Sequence, residues 1–139
     1  MRLAVLVVAL LGALPYSVSA GAAGPPVIRE SFTVLPCPAH SVSTLDLEGC
    51  AEKALLGSDR AINARAKKIF GLLRSSVARG AFIRGEQSWL DYRRSSCAAE
   101  SSKYAGGSLE PVAFGHCEQS RNGAHLAELG EMEHTLAQR

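Results

Sequence analysis

"TLDLEGCAEKALLGSDRAINARAKKIFGLLRSSV" (Thr44–Val77) decides the fold class. Apolar and small residues recur along it at Leu47, Ala51, Ala54/Leu55, Ile62, Ala66, Ile69/Phe70, Leu73 and Val77. The steps are threes and fours, the spacing that gathers side chains on one face of an α-helix. Ser43 or Thr44 suits the N-cap, which puts Asp46 and Glu48 in the first turn, where the helix dipole favours acid. Gly57 costs about 1 kcal/mol relative to Ala and need not break the run. One long helix over 44–77 is expected, with a kink near Gly57-Ser58 as the alternative.

Working outward, Gly80 reads as a joint and a second helix follows over 81–100. Phe82, Glu86, Trp89/Leu90, Arg93 and Cys97 share one side of it, so its buried face includes polar groups. "KYAGGSLEPVAFGHC" (Lys103–Cys117) reads as a loop, on the strength of Gly106-Gly107, Pro111 and Gly115. Asn122, a good N-cap, opens a third helix along which Leu126, Leu129, Met132 or Glu133, and Leu136 recur. Val112-Ala113-Phe114 is too short for a strand. The expected fold is all-α: a helical hairpin of two long helices plus a shorter C-terminal helix, stapled by disulfides.

The N-terminus has a different character. Arg2, the apolar run Leu3–Leu14 and the small-residue exit Val18-Ser19-Ala20 form the pattern of a secretory signal peptide. The run is too short to span a membrane, which takes about 20 residues. Residues 1–20 are therefore expected to be a signal peptide cut after Ala20, with Ala23 as the other candidate. Gly21 follows the cut, so no cysteine is placed there to carry a lipid anchor. Residues 21–42, rich in Pro, Gly, Ser and Val, are expected to be an extended lead into a domain over 43–139. Cleavage removes Arg2 and leaves 14 basic against 13 acidic residues. That balance gives no support to nucleic-acid or membrane-surface binding, which calls for a basic patch.

All four cysteines, Cys37, Cys50, Cys97 and Cys117, lie beyond the signal peptide. An even count in an exported chain reads as two disulfides, for which three pairings exist. Zinc competes, because Cys37 and His40 have a C-x2-H spacing and His116 adjoins Cys117. But zinc ligands usually come in two closely spaced sets, and Cys50 and Cys97 have no near partner. No metal and no cofactor is expected. The chain has no G-x-S-x-G, no H-E-x-x-H and no Gly-rich phosphate loop, and its four histidines are scattered. No enzyme is expected.

"GEQSWLDYRRSSC" (Gly85–Cys97) and the residues around it resemble the lysozyme inhibitor LprI-like domain family, small exported all-helical bacterial modules. The family's central motif is read on Gln87, Trp89, Tyr92, Arg93 and Cys97, its G-G-S loop on Gly106-Gly107-Ser108, and its next cysteine on Cys117. An earlier A-D-x-x-L-N-x-x-Y motif appears as Ser58-Asp59-Arg60-Ala61-Ile62-Asn63, with Ala66 where the family has Tyr. In the last motif Asn122 stands for a capping Thr and His125 for an Arg. The resemblance covers roughly 37–130.

The resemblance implies an exported protein, periplasmic or secreted, that binds and inhibits host-type lysozyme. The alternative is a non-catalytic cell-envelope structural or accessory module without lysozyme binding. A steered partner of a basic lysozyme would be acidic, which this nearly neutral chain is not. The local pairings Cys37–Cys50 and Cys97–Cys117 are expected, the second closing the GGS loop. Asp59, Asn63, Gln87, Trp89 and Arg93 are expected to form a structural polar network. On antiparallel helices, Asp59 would meet Arg93 while Asn63 meets Gln87. The loop Ala105–Leu109, with Gly106, Gly107 and Ser108 at its tip, is the candidate contact with lysozyme.

Overall fold

The computed structural model describes residues 24–32, 34–40 and 42–139; the expected signal peptide lies outside these. The fold is all-α, with helices α1 (Thr44–Leu72, 29 residues), α2 (Ser76–Ser101, 26 residues) and α3 (Glu110–Ala137, 28 residues). A single 3-10 turn, Ser102–Tyr104, follows α2.

Ser43 caps α1. Its hydroxyl accepts from the Asp46 backbone N–H at 3.1 Å, while the Asp46 carboxylate accepts from the Ser43 N–H at 3.2 Å. This capping box satisfies donors that a helix start leaves unpaired. Gly57 leaves α1 unbroken. The helix ends at Leu72, short of the expected 77. Leu73 turns extended, its carbonyl accepts from Arg79 Nε at 2.8 Å, and the Ser75 hydroxyl caps α2 by accepting from the Ala78 N–H at 3.1 Å. The joint is therefore 73–75 and not Gly80, which lies inside α2. Val77 continued the apolar spacing but belongs to the next helix and is exposed.

The third helix begins at Glu110, twelve residues before the expected start at Asn122. Pro111 sits in its first turn, where no backbone N–H is needed. Gly115 belongs to the helix as well. A methyl there would stand 3.2 Å from the Ala51 side chain, so α3 packs closely on α1 at this level.

The three helices run up, down and up. Moving along α1, Ala51 faces Gly115, Asp59 meets Asn122, Arg65 reaches Leu126 and Lys68 pairs with Glu133. Both numbers rise together, so α1 and α3 are parallel. α2 is antiparallel to both: its start puts Phe82 beside Ile69 and Leu129, and its later turns put Arg93 beside Asp59 and Asn122. Ile62, Ala66, Ile69, Phe82 and Leu129 form the apolar core, packed against Trp89, Leu126 and Leu136. Full burial of an aliphatic or aromatic side chain of this size stabilises by about 1.5–3 kcal/mol.

The described residues of the lead have no regular secondary structure, yet they are tied along α1 in the opposite direction. Asn63 accepts from the Ile28 N–H at 2.8 Å and donates to its carbonyl at 3.0 Å. Glu52 accepts from the Leu35 N–H at 2.9 Å. Cys37 is disulfide-bonded to Cys50. Gly49 makes this close approach possible, because any Cβ there would collide with the backbone of Leu35 and Pro36.

Candidate functional site

Each helix has a stripe of buried positions at steps of three and four, and polar residues stand on the stripes at one level. On α1 the stripe passes Leu55, Asp59 and Ile62. On α2 it passes Glu86, Arg93 and Cys97, and on α3 it passes Glu118, Asn122 and His125. These residues meet in the middle of the bundle.

Arg93 is the hub, only 3% exposed. Its Nη1 donates to Asp59 Oδ1 at 2.7 Å and to Asn122 Oδ1 at 2.9 Å, and its Nη2 donates to Glu30 Oε1 at 2.7 Å. Its Nε lies 3.4 Å from Glu118 Oε1. Asn122 in turn donates to Ser58 Oγ at 2.7 Å and to Asp59 Oδ1 at 2.8 Å. One guanidinium thus ties together the lead and all three helices. Its five fixed donors suit it to holding several carboxylates at once.

The charges do not balance. One arginine faces Glu30, Asp59 and Glu118. Burial pushes the Glu118 carboxyl up to about 7, and repulsion from Glu30 and Asp59 adds to this against the pull of Arg93. Burial works against the charge on Arg93, but Glu118, Asp59 and Glu30 outweigh it and hold the guanidinium above its ordinary value. Asp59 Oδ2, Arg93 Nε and Glu118 Oε2 are buried without hydrogen-bond partners. Removal of Arg93 would leave three carboxylates without a countercharge in a poorly solvated place.

Beside the hub, Trp89 stacks on His125 with ring centroids 3.8 Å apart and planes 13° from parallel. The Arg93 guanidinium carbon lies over the Trp89 ring, 5.6 Å from its centroid. His125 Nε2 is 3.1 Å from Glu86 Oε2, and Nδ1 is 3.3 Å from Glu128. The structure thus brings Asp59, Arg93 and Trp89 into one cluster and leaves two expected members out of it. Gln87 is exposed, and the inward polar residue is its neighbour Glu86. Asn63 clamps Ile28 of the lead. Asn122 is no N-cap; it is fully buried in mid-helix. Its position four residues after Glu118 and three before His125 was the available signal for that stripe.

The second site is the loop between α2 and α3. Gly106 has φ 75°, a conformation that Gly adopts without a Cβ penalty. Its N–H donates to the Glu110 carboxylate at 2.9 Å, and the Gly107 N–H donates to the Tyr104 carbonyl at 2.9 Å. Gly106, Gly107 and Ser108 are exposed. Beneath them the Cys97–Cys117 disulfide, with Cα atoms 5.5 Å apart, joins α2 to α3. Cys37 and Cys117, whose neighbouring histidines raised the question of zinc, both lie in disulfides. No helix among the described residues is long and apolar enough to cross a membrane.

A disulfide-stapled three-helix domain with a buried Arg hub and a Gly-Gly-Ser loop is the class that this geometry defines. Residues 37–129 match the model of the family described as Lysozyme inhibitor LprI, and the chain belongs to that family. No curated protein and no solved structure gives a significant match. Glu30, and with it the lead as far as Pro36, lies outside the matched span.

Proposed function

We propose that this protein is exported, loses its leader after Ala20, and binds and inhibits lysozyme through the Ala105–Leu109 loop. The observation that carries this reading is the family match over 37–129, which spans α1, α2, the loop and most of α3. The loop geometry supports the choice of contact. An unconstrained loop loses binding energy to ordering, whereas this one is hydrogen-bonded at Gly106 and Gly107 and joined at its base by Cys97–Cys117. Its tip is slim and polar, suited to a sugar-binding cleft, with Ser108 as a hydrogen-bond donor to carboxylates there. The Arg93 cluster is proposed to serve structure, fixing how the lead and three helices meet. The test is lysis of bacterial cell-wall substrate by lysozyme with and without the purified oxidised protein. Unchanged lysis at high micromolar protein would reject inhibition and favour an envelope accessory role.

A further inference from the structure

The near-neutral balance of the whole chain conceals a local imbalance. A cavity of about 490 Å³ opens between the lead, the first turns of α1, the end of α2 and the start of α3. Phe32, Leu55, Ala98, Pro111 and Phe114 give it apolar walls. Among the described residues, its ionisable lining is Glu30, Glu48, Glu52 and Glu110, with no Lys, Arg or His. Glu30 is paired with Arg93. Glu52 and Glu110 accept only backbone N–H groups, from Leu35 and Gly106, and Glu48 has no partner among the described residues. Three carboxylates therefore border an apolar concavity without a countercharge.

We propose that this cavity docks a basic segment of a partner protein, taking an Arg or Lys side chain together with an apolar neighbour. Low-dielectric walls focus the field of the carboxylates into the opening, which favours a cationic occupant. An aliphatic stem ending in a charge matches both features, since Arg and Lys lay their methylenes on apolar surface while the head seeks the carboxylates. The volume lies in the range of ligand pockets, and is roomy enough for a second, apolar side chain. Phe32 and Glu30 come from the lead, outside the family match, so part of this wall belongs to this chain's own sequence. The inference does not depend on the partner being a lysozyme.

The test is an NMR titration of the oxidised, isotope-labelled chain with acetyl-Leu-Arg-amide, with acetyl-Leu-Glu-amide as the charge-reversed control. Saturable millimolar binding of the Arg peptide is expected, with shifts at Leu55, Ala98 and Phe114 and no saturable shift from the Glu peptide. Glu48→Gln should weaken the Arg peptide about threefold, the effect of one partly exposed ion pair. Ala98→Phe, which fills the cavity from α2, should abolish binding with helix content unchanged. Equal binding of the two peptides, no saturable shift, or full affinity in either variant would overturn the proposal. Lysozyme inhibition is a separate readout, so failure of the loop reading leaves this test intact.

Discussion

The Arg93 hub lies between the helices and the 105–109 loop joins two of them, α2 and α3, yet the two regions differ in burial, charge and connectivity. The hub is buried, charged and connected to each part of the molecule. The loop is exposed, and its hydrogen bonds are local, to Ser102, Tyr104, Glu110 and Ala113. Arg93 and Cys97 of the conspicuous motif are thus buried and Trp89 partly so, while the plain Gly-Gly-Ser faces outward. A chemically rich motif is not by that fact a binding site. Buried charge of this kind adds little net stability but is costly to break.

The largest expected effect follows from breaking the hub. Arg93→Ala leaves Glu30, Asp59 and Glu118 together without a countercharge and should destabilise by about 3–5 kcal/mol. That is a large part of the 5–15 kcal/mol typical of a domain. Asp59→Ala should cost less, since Glu30, Glu118 and Asn122 still hold the arginine. Thermal and urea melts of both single variants and the double variant measure the coupling. If Arg93→Ala melts like wild type, the cluster does not hold the bundle and its residues must be sought in a site.

Next comes the staple that the two regions share. Replacing Cys97 and Cys117 together by Ser releases a loop of sequence separation 20 and should cost about 3 kcal/mol in the chain-entropy model. It should also loosen residues 105–109 and weaken inhibition of lysozyme, with α1 and the lead left in place by Cys37–Cys50. Hydrogen exchange resolves this pattern. Uniform loss of protection across the chain would show that the bridge holds the whole bundle and has no special tie to the loop.

A smaller effect appears as a pH dependence. Glu118 has its carboxyl raised in the folded state, from 4.5 to about 7. The folded protein therefore binds this proton more readily than the unfolded chain does. Its contribution is fully present below about pH 4.5 and is lost as the pH rises through about 7, a change on the order of 3 kcal/mol. Asp46 and Glu133 act in the opposite sense. Hydrogen bonds from Ser43 and from Lys68, respectively, lower their carboxyls, and their contributions fade as the pH falls through those lowered values. Melts between pH 5 and 8 should show wild type losing stability with rising pH and Glu118→Gln staying flatter. Parallel pH curves for the two would remove Glu118 as the source.

The contrast between hub and loop was only partly legible in the sequence. The all-α class followed from the three-and-four spacing of α1, and α2 showed polar residues among its inward positions. Two boundaries misled. Val77 extended the apolar pattern past a joint that Ser75 makes by capping, and Gly80 resembled a break that the helix absorbs. Pro111 and Gly115 read as loop, although the first is harmless in a first turn and the second fits against Ala51. Starting α3 at Asn122 then hid the stripe of Glu118, Asn122 and His125. Glu30 was out of reach for another reason: an extended lead has no period to say which side chain turns inward, and only the fold brings it to Arg93.

The smallest expected effect on stability carries the largest consequence for function. Ser108 is exposed at the tip of the loop, and no core side chain depends on it. Ser108→Trp should leave helix content unchanged and the melting temperature within the scatter of surface substitutions, about 0.5 kcal/mol. A bulky ring there should nevertheless block a slim tip from entering a sugar-binding cleft, so inhibition of cell-wall lysis should be lost. Arg94→Ala is the matched control: Arg94 is exposed on α2, next to the hub but away from the tip, and should keep most of the inhibition. The pair separates shape at the tip from charge at the flank. Full inhibition by Ser108→Trp would remove the loop as the inhibitory element. Loss of inhibition in Arg94→Ala alone would move the contact to the outer face of α2, at the pocket that Arg94 lines together with Arg29, Leu90 and Asp91.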